Sequence, residues 1–263
     1  MAYKNYEYIT VTTDGDIVTV TLNRPDLHNA FNEFMIEEVT DVFKAIAESS
    51  ERIVVLRGAG KSFCAGADLN WMKKMKDYTE EENERDAKGL DGMFYAIYTC
   101  PKPVIAMVQG GVFGGGTGIL AAADIVITHK DTKFGFTEVK LGLVPAVISS
   151  YLVRRLNFYA LKEFLITGAI FDAAEAKQMG LVNYIEEDFD KMEERLSKLI
   201  RALFVCGPSG IAETKKLVAY QLENPMEKRR EMAPKVIAKA RISKEGQEGI
   251  TAFLEKRKAS FVK

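Results

Sequence analysis

The chain begins with two stretches in which apolar and polar residues alternate. Residues 8–12 and 17–22 have this period of two, and they flank the turn-forming sequence Asp14-Gly15-Asp16. The pattern predicts a β-hairpin. Asn32 then precedes apolar residues at helical spacing over 34–47, which predicts a helix capped by the asparagine side chain.

Apolar runs, glycine-containing loops and helical periods follow one another through the first half of the chain. Strands are predicted at 53–56, 104–108 and 125–128, a helix from a cap at Thr79 to about residue 99, and a short helix at 117–123. This repeated order of strand, loop and helix predicts an α/β fold built from stacked ββα-type units with parallel strand pairing.

The pattern changes near residue 188 and is helical from there onward. Helices are predicted at 189–204, 209–222, 226–240 and 244–260. We therefore divide the sequence into a core, 1–188, and a C-terminal helical region, 189–263.

Composition excludes several function classes. The net charge is -1, so a large basic surface for nucleic acid is not expected. Cys64, Cys100 and Cys206 are widely separated and there are two histidines, which argues against a metal site, a disulfide framework or a Ser-His-Asp triad. No apolar run approaches the roughly 18 residues of a membrane span, and no signal-peptide stretch begins the chain, so we expect a cytoplasmic protein.

Two glycine-containing loops, at 58–68 and 110–116, each follow a predicted buried strand. Neither has the spacing of a phosphate or dinucleotide loop, because Val55 and Ile119 stand where those motifs need glycine. The second loop opens onto a helix, whose first N–H groups are unpaired. Two such loops side by side could place two N–H donors on one developing oxyanion. The alternative is that the glycines only form tight turns.

Motifs along the whole chain resemble one family. The segment Ser62-Phe63-Cys64-Ala65-Gly66-Ala67-Asp68-Leu69 resembles the F-x-A-G-A-D-[LI] motif of the enoyl-CoA hydratase/isomerase (crotonase) family. The other matching segments are 23–30, 102–116, 123–125, 134–145 and 248–257. The resemblance implies a crotonase-like spiral of ββα units with a C-terminal helical appendage, and chemistry on a coenzyme A (CoA) thioester.

The resemblance also implies roles for particular residues. The N–H groups of Ala67 and Gly115 would bind the thioester oxygen, and Glu138 would manage a proton. Implied substrate contacts are Leu27, His28, Ala65, Asp68, Leu69, Gly118, Phe253 and Lys256, the last two in many members from a neighbouring subunit. It further implies a homotrimer or a dimer of trimers, and no cofactor besides the CoA of the substrate.

One position departs from the family pattern. Hydratases of this family commonly use two glutamates, and the first would stand at Gly118, which has no side chain to carry a proton. Segments 23–31, 68–72 and 138–149 resemble the bacterial methylglutaconyl-CoA hydratase branch, whose members can also carry glycine there and whose substrate has its own carboxylate. A Δ3,Δ2-enoyl-CoA isomerase, which needs one carboxylate, and a related decarboxylase remain alternatives.

Two non-enzymatic interpretations are weaker. One relative of this subgroup binds RNA through a lysine-lined first helix, whereas residues 33–50 here contain Lys44 among five acidic side chains, which would repel phosphate. A non-catalytic CoA-binding or scaffold role is the other alternative. It would be favoured if Glu138→Gln left the turnover of every acyl-CoA unchanged.

Overall fold

A computed structural model describes residues 3–263 of the protein. Met1 and Ala2, at the start of the predicted core, lie outside the described residues. Within 3–263 the strands are β1 (Ile9–Asp14), β2 (Ile17–Leu22), β3 (Ile53–Gly58), β4 (Val104–Val108), β5 (Gly111–Phe113), β6 (Ile125–His129), β7 (Lys133–Gly135), β8 (Ile170–Phe171) and β9 (Tyr184–Glu186).

The α-helices of the same residues lie between and after these strands. They are α1 (Glu33–Glu48), α2 (Leu69–Met75), α3 (Glu80–Thr99), α4 (Gly115–Ala122), α5 (Ala146–Arg155), α6 (Phe158–Thr167), α7 (Ala173–Met179), α8 (Phe189–Phe204), α9 (Pro208–Glu223), α10 (Met226–Ile242) and α11 (Lys244–Leu254). Short 3-10 helices occupy Pro25–Leu27 and Glu138–Leu141. Of the helices described, none is both long enough and apolar enough to span a membrane.

The strands form two sheets, ordered β1-β2-β3-β4-β6-β9 and β5-β7-β8. The predicted hairpin of β1 and β2 is confirmed, and each later pair in the larger sheet is parallel, as the crotonase-like α/β fold requires. β4 is buried along its whole length and β3 over its first four residues, which explains their continuous apolar runs. Because β3 and β4 are parallel neighbours, the loops after them leave the same edge of the sheet.

The predicted helix caps are confirmed. The Oδ1 of Asn32 accepts a hydrogen bond from the N–H of Met35 at 2.9 Å. Thr79 and Glu82 form a reciprocal capping box at the start of α3. Both caps pair backbone N–H groups that the first turn of a helix leaves without intrahelical acceptors.

Helix α4 begins at Gly115, before the predicted start at residue 117. Gly114 precedes it with φ 49° and ψ -121°, a backbone conformation that residues other than glycine rarely adopt. The glycine therefore turns the chain directly into the helix, and the helix can start without a polar capping side chain.

The chain divides into two compact units. One contains the residues up to Cys100 together with Val104–Leu196, and so both sheets and the large apolar core. The other contains Pro101–Pro103 and Ser197–Lys263, and so helices α9 to α11. Within this second unit the carboxylate of Glu245 accepts the N–H groups of Ser209 and Gly210 at 3.0 and 2.7 Å, which links the starts of α9 and α11.

The prediction that the last helix continues to residue 260 was wrong, because α11 ends at Leu254. Lys256 has φ 55°, a left-handed conformation that turns the chain back. Glu248 then binds the returning segment, accepting from Arg257 Nη1 at 2.8 Å and from the N–H of Ser260 at 2.7 Å.

Candidate active site

The N-terminal loop and the first glycine loop are tied together by one buried amide side chain. The Nδ2 of Asn29 donates to the carbonyl oxygens of Ala59 and Ser62, both at 2.8 Å. Its Oδ1 accepts the N–H of Arg24 at 2.8 Å, and the Nδ1 of His28 lies 3.1 Å from Ser62 Oγ. The segment that resembles the family's CoA loop is therefore held against the first glycine loop.

The two glycine loops lie side by side, as predicted. Cys64 and Val112 form an isolated parallel β-bridge, in which the N–H of Cys64 donates to Gly111 O at 3.2 Å and the N–H of Phe113 donates to Cys64 O at 3.0 Å. A methyl group placed on Gly66 would lie 3.3 Å from Phe113 O, so the loops approach to the distance of backbone contact.

Ala67 presents an N–H group that the chain itself does not use. Phe31 donates its N–H to Gly66 O and accepts the N–H of Asp68, both at 2.7 Å. In this parallel bridge the groups on either side of Ala67 are the ones that bind Phe31, so the N–H of Ala67 points away from it. Among the hydrogen bonds of residues 3–263, none has this N–H as donor.

Gly115 supplies a second N–H of the same kind. It is the first residue of α4, and no side chain caps that end of the helix. Within the described chain its N–H, like that of Ala67, has no hydrogen-bond acceptor. A helix start carries a partial positive charge, so these N–H groups form an environment suited to an oxyanion.

The smaller sheet brings Glu138 to the same place. β5 and β7 run parallel, and the N–H of Gly114 donates to Gly135 O at 3.0 Å, which extends their pairing by one residue. Glu138 follows β7 closely and begins a 3-10 helix. A methyl group on Gly114 would lie 3.3 Å from Glu138 Oε1 and 3.9 Å from Gly66 Cα, so the carboxyl group adjoins both loops.

The carboxyl group of Glu138 is suited to carry a proton. Its Oε2 is buried and has no hydrogen-bond partner in the described part of the chain. Burial raises the pKa of Glu138 above its ordinary value, because an unpaired anion loses its hydration there. A carboxyl group in that state can exchange a proton with a bound molecule at neutral pH.

The space beside Gly118, four residues after Gly114, holds no such group. A methyl group on Gly118 would lie 2.6 Å from Phe94 Cζ and 2.8 Å from Ile148 Cγ2, distances shorter than atoms tolerate. Phe94 and Ile148 are both buried. The space beside Gly118 is therefore filled with hydrocarbon.

Asp68 is fully engaged within the chain. One oxygen, Oδ2, pairs with Arg24 Nη2 at 2.8 Å, and the other accepts the N–H groups of Asn70 and Trp71 at the start of α2. Burial alone would raise the pKa of Asp68, but the hydrogen bonds from Arg24 and from the backbone hold it below its ordinary value. The ion pair therefore anchors the residue that directly follows Ala67.

Comparison with known proteins gives the family. The sequence profile described as "Enoyl-CoA hydratase/isomerase" matches residues 12–263. The chain belongs to this family. A solved enoyl-CoA hydratase from Shewanella pealeana is 36% identical, with a TM-score of 0.93 over 97% of this chain and 96% of that one.

Relatives with different reactions match this enoyl-CoA hydratase/isomerase to a similar degree. A crotonyl-CoA hydratase of Syntrophomonas wolfei is 29% identical over 98% of both chains. A Delta(3,5)-Delta(2,4)-dienoyl-CoA isomerase of Arabidopsis thaliana is 27% identical over 100% of this chain and 98% of its own. The reaction class of the chain is therefore hydration or isomerisation of an enoyl-CoA, and identity alone does not separate the two.

The remaining residues that the family resemblance selects lie at the surface. Ala65 and Leu69 are exposed on and just after the first glycine loop, and Leu27 is half exposed in the N-terminal loop. Phe253, in the last turn of α11, is 83% exposed, and Lys256 is exposed beyond the end of that helix. Contact of these side chains with CoA stays a prediction.

Sequence reasoning for this enoyl-CoA hydratase/isomerase missed the surroundings of its key groups. Phe94 and Ile148 were not singled out, and Arg24 was quoted in a motif without a role. The available signal was Gly118 itself, since a glycine inside a helix often marks close approach by a neighbouring group. Nothing in the sequence says which side chain makes that approach.

Proposed function

We propose that this chain reversibly hydrates an enoyl-CoA of the 3-methylglutaconyl-CoA type, with Glu138 as its single proton carrier. The observation that carries the proposal is the carboxyl group of Glu138, whose buried Oε2 has no partner within residues 3–263 and whose Oε1 adjoins Gly114. A buried carboxyl oxygen without a hydrogen-bond partner is costly for the fold, and a bound reactant would offset that cost.

The thioester oxygen would bind the N–H groups of Ala67 and Gly115. Neither has an acceptor among the described residues, and the loops that hold them are bridged through Cys64 and Val112. Donors that are already in position stabilise an enolate without reorganisation at the moment of reaction. The loss of one such donor typically costs about 2.7–4 kcal/mol of transition-state stabilisation.

One carboxylate is enough for a balanced addition of water. Ionised Glu138 takes a proton from the water while the oxygen of that water bonds to the β-carbon of the substrate. The electron pair of the double bond then moves toward the thioester oxygen, which gives the enolate. Glu138 then returns the proton to the α-carbon as the enolate collapses. Dehydration is the reverse, and neither direction uses a cofactor besides the CoA of the substrate.

The acyl group follows from the resemblance and from the missing carboxylate. Segments 23–31, 68–72 and 138–149 resemble the methylglutaconyl-CoA hydratase branch, and Gly118 stands where a second glutamate would act. A substrate with its own carboxylate can supply an acidic group that the chain lacks. The relative named crotonyl-CoA hydratase supports hydration as a reaction open to this fold.

Isomerisation of a 3-enoyl-CoA to a 2-enoyl-CoA is the second candidate, and the apolar packing at Gly118 favours it. Moving a proton between two carbons of an enolate needs one carboxylate and no water. The relative named Delta(3,5)-Delta(2,4)-dienoyl-CoA isomerase supports isomerisation as a reaction open to this family.

The CoA contacts, assembly and location complete the proposal. Leu27, His28, Ala65, Asp68 and Leu69 would contact the substrate within one subunit, and Phe253 and Lys256 would reach CoA from a neighbour. The contact predicted at Gly118 is not part of the proposal, because Phe94 and Ile148 fill the space beside that residue. Large exposed apolar residues on α9 to α11, among them Leu222, Ile242 and Phe253, support a trimer or a dimer of trimers. We place the enzyme in the cytoplasm.

The test is an assay of the purified enzyme by mass spectrometry in ¹⁸O-labelled water. The substrates are 3-methylglutaconyl-CoA, crotonyl-CoA and a 3-enoyl-CoA. We expect 3-methylglutaconyl-CoA to gain labelled oxygen fastest. Faster labelling of crotonyl-CoA would refute the proposed acyl group, migration of the double bond without labelling would establish the isomerase, and loss of carbon dioxide would establish a decarboxylase.

A further inference from the structure

We propose that Phe94 is a specificity-determining residue: its ring fills the space beside Gly118 and so confines proton transfer to Glu138. The proposal rests on the proposed function, in which Glu138 is the single proton carrier. It adds the residue that makes the site one-sided, and it explains why substrates without their own carboxylate would be poor ones.

The packing around Gly118 leaves no room for any side chain. A methyl group there would lie 2.6 and 2.9 Å from Phe94 Cζ and Cε1, and 2.8 Å from Ile148 Cγ2. The same ring approaches the start of the helix, because Phe94 Cζ would lie 3.8 Å from a methyl group on Gly115. The ring of Phe94 therefore lies along the first turn of α4, from Gly115, which offers an N–H donor, to Gly118, which has no carboxylate.

The ring of Phe94 is held in this place by its neighbours. Tyr151 packs edge-on against it, with ring centroids 5.6 Å apart. The hydroxyl of Tyr151 lies 2.9 Å from Asp91 Oδ1 and 3.2 Å from Asp91 O, one turn before Phe94 on α3. Since Tyr151 is tied to the helix that carries Phe94, the ring has little space to move aside for a longer residue at 118.

The apolar packing of Phe94 and Ile148 against Gly118 has a chemical consequence for substrate choice. Apolar atoms neither orient a water molecule nor exchange a proton with one, so no second carboxylate can assist on this side of α4. The missing second carboxylate would slow the hydration of an enoyl-CoA with a plain acyl chain more than the hydration of an enoyl-CoA that carries its own carboxylate. Phe94 would thus set the preference between the two substrates, without itself taking part in the proton transfer.

The test removes the ring of Phe94, the group closest to position 118, and adds the carboxylate. We compare Phe94→Ala/Gly118→Glu with the isosteric control Phe94→Ala/Gly118→Gln, and with Gly118→Glu alone, for hydration of crotonyl-CoA. We expect the Glu double variant to exceed the Gln control by about 10²-fold, the lower end of what a positioned acid-base group contributes. Its pH profile should also gain a second ionisation. Gly118→Glu alone should show neither gain, because Phe94 still occupies the space.

Thermal unfolding of each variant checks that it is folded. Phe43→Ala/Gly118→Glu, which removes a similarly buried ring from α1, controls for the loss of core packing and should hydrate crotonyl-CoA no faster than Gly118→Glu alone. If the alanine pair does not fold, the milder Phe94→Val pair is scored by the same criteria.

Two outcomes would overturn the inference. One is equal crotonyl-CoA hydration by the folded Glu and Gln double variants, and the other is a full gain from Gly118→Glu with Phe94 retained. Failure of the proposed function would be recognised separately, because the native enzyme would then not introduce ¹⁸O into 3-methylglutaconyl-CoA, whatever happens at position 118.

Discussion

Two regions next to the start of α4, the Glu138 side and the Gly118 side, contrast in polarity and in packing. On one side Glu138 holds a buried carboxyl oxygen without a partner in the described chain, next to Gly114. On the other side Phe94 and Ile148 fill the space beside Gly118. One side is polar and incompletely satisfied, while the other is apolar and completely filled. An unsatisfied polar group and a filled apolar space have opposite effects on the stability of the fold.

This contrast locates function on the side that is poorly optimised for stability. A filled apolar contact stabilises the protein without help from a ligand, whereas a buried carboxyl oxygen without a hydrogen bond destabilises it until something binds. The N–H groups of Ala67 and Gly115 likewise have no acceptor within residues 3–263. We therefore expect substitutions on the Glu138 side to alter activity most.

The largest effect should come from Glu138→Gln, which keeps the shape of the side chain and removes the proton carrier. We expect kcat to fall by about 10²–10⁴-fold with little change in KM. The melting temperature at neutral pH should not fall, since the variant removes a buried charge. Steady-state kinetics and thermal unfolding measure both, with exposed Glu163→Gln as the matched control. An unchanged kcat would show that activity does not depend on the Glu138 side.

Gly114→Ala should have the next largest effect. At φ 49° and ψ -121° a side chain is strained, and relief of that strain would turn the N–H of Gly115 away from the thioester oxygen. We expect kcat to fall by about 10²–10³-fold, the usual effect of losing one oxyanion donor.

Gly15→Ala provides the control for this variant. Gly15 also has a positive φ, 55°, but lies in the β1–β2 turn with nothing within 4 Å of an added methyl group. Gly15→Ala should lower the melting temperature while kcat stays at the native value. Equal loss of activity in both variants would mean that strain, and not the N–H donor, sets the rate.

Asp68→Asn should have a smaller effect, mainly on stability. It removes the charge that pairs with Arg24 while keeping an oxygen for the start of α2. We expect the free energy of unfolding to fall by about 1–3 kcal/mol, the range for a buried hydrogen bond to a charged group. Because the pKa of Asp68 is lowered in the fold, this difference should shrink as pH falls through that pKa. Urea unfolding at neutral and acidic pH measures it, and equal stability at neutral pH would contradict it.

The pH dependence of Glu138 should be the smallest effect and should have opposite signs for activity and stability. Activity needs the ionised form, so kcat should fall by up to about tenfold per pH unit below the raised pKa. The same raised pKa means that the folded state binds the proton more tightly than the unfolded state. Its stabilising contribution is therefore present at low pH and is lost as pH rises through the folded pKa.

Thermal unfolding of the native chain and of Glu138→Gln across this pH range provides the measurement. The native chain should become more stable relative to the variant as pH is lowered, while its kcat falls. Parallel changes in stability and activity would contradict the assignment of the raised pKa to Glu138.

Local features of the fold were predictable because local interactions produce them. The hairpin follows from alternation around Gly15, and the starts of α1 and α3 follow from Asn32 and Thr79, which bind N–H groups two or three residues away. The end of α11 was not predictable in the same way. It depends on Glu248 binding a segment that returns after Lys256, and helical periodicity contains no information about that contact.

Some residues of the candidate site were predictable from sequence motifs, and others were not. Sequence motifs identified the two glycine loops, Glu138 and the absence of a carboxylate at Gly118, because each is a matter of which residue stands where. Phe94 and Ile148 come from α3 and α5 and meet only where these helices pack against α4. Their importance depends on close packing between distant parts of the chain, and one sequence cannot specify it.

By itself the sequence determined the family and the order of strands and helices. It also determined which chemical groups are present, with one carboxylate, Glu138, where two are usual. These depend on residue identity and on short-range periodicity. Only the tertiary structure decided that the two loops are bridged at Cys64 and Val112, that Glu138 adjoins them without a partner in the described chain, and that hydrocarbon fills the space beside Gly118. These depend on parallel strands ending at one edge of a sheet, and on helices packing to the density of a crystal.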